Sequence, residues 1–272
     1  MKLYAICVAK NEDDIIAQCL MHALSFCDRL FVIDNGSSDQ TWELVKQLGQ
    51  EYPQIVPFLQ TSEPFRDSIR SLVYNQYHQE LSEQDWWLRL DADEFLIENP
   101  RPILEEANQE KADFVQAWQA QFYYTNLDYQ NWQEGKENLS QPISDRRRYY
   151  AIDWREYRFF RNQPYQVWEE ATAPQWPNGL KKIASKRVIN RHYQYRDPAQ
   201  IEKRLKQRYG HTQFQHIKTT DWKTEIRSAQ TLDYYQPGQP LKVRKFKFYL
   251  QRIFGKFLEK LKKIPLLKKW IA

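Results

Sequence analysis

The sequence predicts an α/β fold in which a mainly parallel sheet carries helices on both faces. Short apolar runs rich in β-branched residues alternate, along the first hundred residues, with segments whose apolar positions recur every three or four residues. Polar side chains follow several of these runs directly. In a parallel sheet the carboxyl ends of the strands lie at one edge, where α/β folds bind their ligands.

Four strands and three helices account for this half of the chain. Continuous apolar runs predict strands over residues 3–9, 29–34 and 55–59, and a fourth strand that begins at Trp86. Helical spacing of apolar residues predicts helices within residues 15–24, 42–48 and 69–77. Strand and helix therefore alternate as in consecutive βαβ units.

The 272-residue chain carries a net charge of +5, but this charge is unevenly distributed. Residues 242–269 contain eleven lysines and arginines against one acid, Glu259, so the preceding body is acidic. The basic character belongs to the tail, which argues against nucleic acid as a partner.

Cys7, Cys19 and Cys27 lack C-x-x-C spacing and lie among apolar residues, so we expect buried free thiols in a cytoplasmic protein.

The fourth strand runs into three carboxylates, Asp91, Asp93 and Glu94. One interpretation is a solvated acidic turn. The other is a metal site, because strand side chains alternate and the spacing of Asp91 and Asp93 places both on one side of an extended chain. Two carboxylates that face the same way repel unless a cation lies between them, and hard oxygen ligands suit Mg²⁺ or Mn²⁺. The same alternation turns Glu94 away from both, which predicts a structural group.

Polar residues also follow the first two predicted strands. Asn11 and Glu12 come shortly after the first strand, and Asp34 ends the second. We expect them to converge with the carboxylates of the fourth strand at one edge of the sheet. The first strand is followed by no G-x-G-x-x-G and no G-x-x-x-x-G-K sequence, so dinucleotide-dehydrogenase and P-loop functions have no support. The Gly-rich, Lys-containing phosphate loop of a nucleotidyltransferase is missing as well.

Three motifs occur in the order found in a known family: V-A-K-N-E at 8–12, V-I-D-N-G-S-S-D-Q-T at 32–41 and L-D-A-D-E-F at 90–95. On these motifs the chain resembles glycosyltransferase family 2, and most closely its branch of small bacterial enzymes with a D-x-D-E-F sequence. Residues 191–201 resemble a downstream segment of that branch more loosely. The resemblance implies a GT-A fold, which is Rossmann-like, and inverting transfer of a sugar from a nucleotide-diphosphate donor to an acceptor hydroxyl.

The resemblance also implies roles for single residues. The positions expected to bind the nucleotide sugar are Asn11, Glu12, Asp34, Arg70 and Asp91. Asp34 would lie near the base, and Arg70 would add a positive contact to the diphosphate. Asp93 would bind the Mn²⁺ or Mg²⁺ ion, and Asp91 would face the ribose or the water shell of the metal. Asn35 stands where many relatives have a second Asp, which leaves the base specificity open.

Inversion requires a carboxylate that takes the proton of the acceptor. Glu169 and Glu170 are candidates because they follow a predicted strand at residues 165–168 in the second half of the chain. Glu94 and Asp145 are alternatives. His192 is either a further metal ligand or diphosphate contact, or an ordinary polar residue.

Three segments are predicted along the chain. Residues 1–110 form the nucleotide-sugar-binding half of a GT-A domain, 111–236 form its acceptor-side half, and 237–272 form a tail that begins at a P-G-Q-P break. Apolar residues of the tail recur at helical spacing with basic residues on the remaining face. Such a C-terminal basic amphipathic helix either lies in an anionic membrane interface or packs on the core of the protein.

The membrane alternative predicts a peripheral enzyme on the inner face of the cytoplasmic membrane. Its acceptor would be a glycan or a lipid-linked molecule in bacterial surface-glycan assembly. The alternative function is a non-catalytic nucleotide- or carbohydrate-binding protein that retains the pocket.

Overall fold

The computed structural model describes residues 1–173, 175–210 and 214–243. The chain divides into two compact units, Met1–Tyr234 and Tyr235–Ala272. The predicted amphipathic helix of the tail lies outside the described residues, and the predicted segment boundaries stay predictions. No helix in the described part of the chain is long and apolar enough to cross a membrane.

The first half of the sheet is parallel and follows the order β3-β2-β1-β4. Its strands are β1 (Leu3–Ala9), β2 (Arg29–Asp34), β3 (Ile55–Gln60) and β4 (Trp86–Asp91). The helices between them are α1 (Ile16–Leu24), α2 (Thr41–Glu51) and α3 (Ser71–Tyr77), which follows a 3₁₀ turn (Asp67–Arg70). This alternation confirms the predicted α/β fold.

The second half mixes parallel and antiparallel strands and continues the order as β4-β7-β6-β8-β5. Its elements are β5 (Glu94–Leu96), α4 (Arg101–Gln109), β6 (Phe114–Phe122), α5 (Asn126–Gln133), α6 (Ile143–Arg146), β7 (Tyr149–Arg161), β8 (Val188–His192), α7 (Pro198–Arg208) and β9 (Asp233–Tyr234), which pairs with β7. Ala92 and Asp93 alone separate β4 from β5, although β7, β6 and β8 lie between them in the sheet. This half of the sheet must therefore curl until β4 and β5 meet.

Helices cover both faces of the parallel half. Tyr4 of β1 packs with Tyr74 of α3 in one buried cluster. Strand side chains alternate, so Cys7 points to the opposite face, where it lies near Cys19 of α1. Cys7, Cys19 and Cys27 are buried free cysteines, as predicted, and burial raises the pKa of all three thiols. The carboxyl ends of β1, β2 and β4 lie at one edge of this packed sheet, where the candidate site is found.

Candidate active site

Polar residues that follow β1 and end β2 hold the loop between β2 and α2. Asn11 has a positive φ of 56°, and its Oδ1 accepts a hydrogen bond from the Ser38 backbone N–H at 2.7 Å. Asp34 is fully buried, and its Oδ1 accepts hydrogen bonds from the backbone N–H groups of Gly36 (3.1 Å) and Ser37 (3.0 Å). The Oδ2 of Asp34 is buried without a hydrogen-bond partner among the described residues. Asp34 therefore keeps one available acceptor at the carboxyl end of β2.

Asp91, the last residue of β4, lies between two arginines. Its Oδ1 accepts a hydrogen bond from Arg70 Nη2 at 3.0 Å, and its Oδ2 accepts one from Arg158 Nη1 at 2.8 Å. Arg158 of β7 also donates to Glu94 and forms an ion pair with Glu156 at 2.6 Å. Burial alone would raise the pKa of Asp91, but Arg158 and Arg70 hold it well below the ordinary value. Asp91 is therefore a fixed, ionised carboxylate.

The alternation predicted across the carboxylate cluster is wrong, because β4 ends at Asp91 and residues 92–93 form a turn. Asp91 and Asp93 consequently have different partners. Glu94 does not face away from Asp91, since both carboxylates bind Arg158. Glu94 is buried and accepts a hydrogen bond from Gln119 at 3.0 Å, and burial raises its pKa to about 7.

Asp93 pairs with His192, which the antiparallel register of β5 and β8 brings opposite Glu94. His192 Nε2 lies 3.3 Å from Asp93 Oδ1. Burial alone would lower the pKa of His192, but the Asp93 carboxylate raises it. Burial would conversely raise the pKa of Asp93, yet His192 and then Arg204 hold it far below its usual range. These two predicted site residues are thus brought together.

Glu12 connects the end of β1 to the segment that contains α7. Its Oε2 accepts a hydrogen bond from Arg196 at 2.5 Å, and its Oε1 accepts one from Arg204 at 3.0 Å. Arg204 Nη2 also lies 3.0 Å from Asp93 Oδ2. In the free chain the Glu12 carboxylate is therefore committed to arginines, and its expected contact with the nucleotide stays a prediction.

The two proposed base residues have different surroundings. Glu170 accepts hydrogen bonds from Arg66 Nε, Ser68 Oγ and Ser71 Oγ, each at 2.9 Å. Burial alone would raise the pKa of Glu170, but these donors lower it. Glu169 is exposed. The strand predicted before this pair is absent, because residues 165–168 form a loop in the described structure. The assignment of the base stays a prediction.

The potential metal ligands at Asp93 fit a divalent cation that takes its remaining ligands from the substrate. Asp93 Oδ2 is buried without a hydrogen-bond partner in the described structure, and the imidazole of His192 lies beside Oδ1. No group of three or more His, Cys, Asp or Glu side chains within the described ranges is arranged to hold a metal ion. Two protein ligands suit Mg²⁺ or Mn²⁺, which take further ligands from water and substrate phosphates. The two oxygens of Asp91, the third expected ligand, are bound by arginines.

Sequence reasoning missed the arginines that neutralise this site. Arg158, Arg196 and Arg204 are all largely buried, and each binds at least two carboxylates. One signal could have indicated them. Several carboxylates converging at one sheet edge require buried cations, because an unpaired buried charge is strongly destabilising.

We predict that Arg158→Gln destabilises the fold by about 3 kcal/mol or more, because it leaves the buried Glu94 without its cation and removes one of two arginines from Asp91. Urea denaturation at neutral pH measures the change. Arg155→Gln is the matched control on the same strand: Arg155 is exposed and lies over the Trp118 ring, so we expect a loss below about 1 kcal/mol. An equal decrease in the free energy of unfolding for the two variants would show that Arg158 does not stabilise the buried carboxylates.

Comparison with solved structures gives distant similarities, each at 12% sequence identity. TarS 1–349 from S. aureus matches with a TM-score of 0.36 over 78% of this chain and 66% of that chain. The mannosyltransferase PcManGT from Pyrobaculum calidifontis, in complex with GDP-Man and Mn²⁺, matches with a TM-score of 0.41 over 75% and 61%. GalNAc-T7 with UDP, GalNAc and Mn²⁺ matches with a TM-score of 0.46 over 72% and 44%. The chain thus spans less than two thirds of each of these structures.

A search of curated proteins found no match. The sequence profile described as Glycosyl transferase family 2 matches residues 4–166, which is more than half of the chain. The match includes the ends of β1, β2 and β4, and therefore Asn11, Asp34, Asp91 and Asp93. The chain belongs to glycosyl transferase family 2.

Proposed function

We propose that the chain transfers a sugar from a nucleoside-diphosphate donor to an acceptor hydroxyl, with inversion and with the assistance of Mn²⁺ or Mg²⁺. The observation that carries the proposal is the pairing of Asp93 with His192, two residues after an Asp91 that two arginines hold ionised. A carboxylate whose buried Oδ2 accepts no hydrogen bond in the described structure, beside an imidazole, is a suitable partial metal site.

Asp34 is suited to the nucleotide base. Its buried Oδ2 lacks a hydrogen-bond donor in the described structure, and an unsatisfied buried acceptor costs about 1–3 kcal/mol. A base N–H that donates to this oxygen recovers that cost. Asn11 supports the same pocket, because its hydrogen bond to Ser38 fixes the loop that begins at Asp34.

The diphosphate would lie at Asp93. Asp93 and His192 would hold the cation, which when bound neutralises the negative charge that develops on the departing diphosphate. Arg70 is 2% exposed and donates to Asp91, so its part in this site is to orient that carboxylate towards the ribose or the water shell. Arg158, on the neighbouring strand β7, donates a second hydrogen bond to Asp91.

Glu169 suits the catalytic base better than its neighbour does. Glu170 already accepts three hydrogen bonds, and a carboxylate with a lowered pKa is a poorer proton acceptor. Glu94 has a raised pKa, near 7, but it is 1% exposed and bound by Arg158 and Gln119. Asp145 of α6 forms an ion pair with Arg148, which follows that helix. Glu169 is exposed to solvent, so its carboxylate is accessible to an acceptor hydroxyl.

The basic tail supports a location on the inner face of the cytoplasmic membrane. Residues 242–269 carry eleven basic residues and one acid, and each lysine or arginine near an anionic membrane contributes about 1 kcal/mol of attraction. Peripheral binding of this kind would bring the enzyme to a lipid-linked acceptor or growing glycan in bacterial surface-glycan assembly.

The metal role of Asp93 can be tested with Asp93→Asn. We predict Mn²⁺-dependent sugar release from at least one of a panel of nucleotide sugars, and at least about a 100-fold lower rate in the variant, because the cation loses its charged ligand. Asp28→Asn is the control, since Asp28 precedes β2 at the opposite edge of the sheet and pairs with Arg101. An unchanged rate for Asp93→Asn would exclude the metal role. Binding of donors by the wild type with no turnover of any would favour a non-catalytic binding protein.

The base is tested by alanine variants of the two adjacent glutamates. We predict that Glu169→Ala lowers kcat about 100-fold or more without changing the thermal midpoint. Glu170→Ala should lower stability by about 2 kcal/mol through loss of its three hydrogen bonds and retain near wild-type turnover below the transition. Full turnover by Glu169→Ala would rule it out as the base.

Membrane contact is tested by cosedimentation with vesicles of phosphatidylglycerol and phosphatidylcholine. We predict that the full chain sediments with anionic vesicles at low salt and is released at high salt, because the attraction is electrostatic. A chain ending at residue 241 should remain in the supernatant. Sedimentation of the shortened chain would refute the tail as the membrane contact.

A further inference from the structure

One arginine from outside the family match lies against the proposed metal ligand. Arg204 belongs to α7, whereas the match to the family ends at residue 166. Its Nη2 lies 3.0 Å from Asp93 Oδ2, and the side chains of Arg204 and Asp93 are 10% and 4% exposed. The Arg204 guanidinium therefore lies next to Asp93 Oδ2, the oxygen that a metal ion would bind.

The two contacts of Arg204 differ in kind. Its Nη1 donates a hydrogen bond to Glu12 Oε1 at 3.0 Å. Its approach to Asp93 Oδ2 is an ion pair without hydrogen-bond geometry, since that oxygen has no hydrogen-bond partner among the described residues. Arg204 can therefore leave Asp93 and keep its hydrogen bond to Glu12. Arg196 differs, because it binds Asp14 through both Nε (2.6 Å) and Nη2 (2.7 Å) and lies 4.0 Å from Asp93.

The carboxylates here have counter-charges before any cation arrives. Glu12, Asp14 and Asp93 pair with Arg196 and Arg204, and Asp93 also pairs with His192. A divalent cation alone would leave a buried excess of positive charge, which is costly in a site shielded from water. A cation that arrives with a diphosphate brings compensating negative charge.

We propose that Arg204 is a positioning residue that provides the counter-charge of Asp93 in the free enzyme, so that the site binds a divalent cation together with a nucleoside diphosphate and only weakly alone. This inference rests on the proposed function. When both ligands bind, Arg204 exchanges Asp93 for the negatively charged diphosphate. Arg204 thus couples the binding of the cation to the binding of the diphosphate, because its positive charge leaves Asp93 when the cation binds and is neutralised by the diphosphate.

The test is the affinity of the full chain for Mn²⁺, measured from the electron paramagnetic resonance signal of free Mn²⁺, without and with UDP or GDP. For Arg204→Gln we expect about tenfold tighter binding of Mn²⁺ alone, and a smaller gain in Mn²⁺ affinity on adding the nucleotide than in the wild type. Arg204→Lys keeps the charge and should bind Mn²⁺ alone as weakly as the wild type. Lys206→Gln, an exposed change on the same helix, should have no effect.

Thermal unfolding establishes that the variants are folded, which is expected because Glu12 keeps Arg196 when Arg204 is replaced. Mn²⁺ affinity of Arg204→Gln equal to or weaker than that of the wild type would overturn the proposal, as would equal tightening in Arg204→Lys. Asp93→Asn separates this failure from that of the proposed function. If Asp93→Asn abolishes Mn²⁺ binding and Arg204→Gln does not tighten it, only the role of Arg204 fails. If Asp93→Asn binds Mn²⁺ like the wild type, the proposed metal site fails.

Discussion

Carboxylates that gather at the carboxyl ends of parallel strands repel one another, and this structure depends on arginines that neutralise them. Arg158 holds Asp91 and Glu94, and Arg204 lies between Glu12 and Asp93. An unpaired buried charge costs several kcal/mol, so the ion pairs between these carboxylates and arginines must form together as the chain folds. The site is consequently ordered before any ligand binds.

The topology explains how the arginines reach the site. β7 pairs directly with β4. The two-residue connection between β4 and β5 forces the sheet to curl, and the curl brings β8, the neighbour of β5, to the end of β4. Arg158 and His192 come from these strands. Arg204 follows on α7 and binds a glutamate 192 residues earlier in the chain. The second half of the chain thus completes a site whose acidic residues come from the first half.

The local pattern of the sequence predicts the first half of the fold well. The apolar runs at β1 and β2 are continuous and end on polar residues, so their bounds could be predicted from composition and periodicity. The alternation rule fails after Asp91 because it holds only while a strand lasts, and the turn at residues 92–93 carries no glycine or proline to indicate it. The burial of the three cysteines is similarly local, because each lies among apolar residues in the sequence.

Contacts between distant segments could not be predicted in this way. Nothing in the spacing around Arg204 distinguishes a buried cation from a solvated one, because α7 has only a narrow apolar stripe among charged residues. The hydrogen bonds of Glu170 to Arg66 and Ser71 depend equally on how a loop after β7 meets the start of α3. Such pairs depend on tertiary packing, which single-segment periodicity does not encode.

The exchange of Arg204 for a metal ion at Asp93 would be visible in a crystal structure of the full chain with Mn²⁺ and a nucleoside diphosphate, located by the anomalous scattering of manganese. We expect a manganese peak within coordination distance of Asp93 and His192, the nucleotide base at Asp34, and Arg204 moved from Asp93 towards the diphosphate. A manganese peak away from Asp93, or an Asp93 that still pairs with Arg204 beside a bound diphosphate, would contradict this expectation.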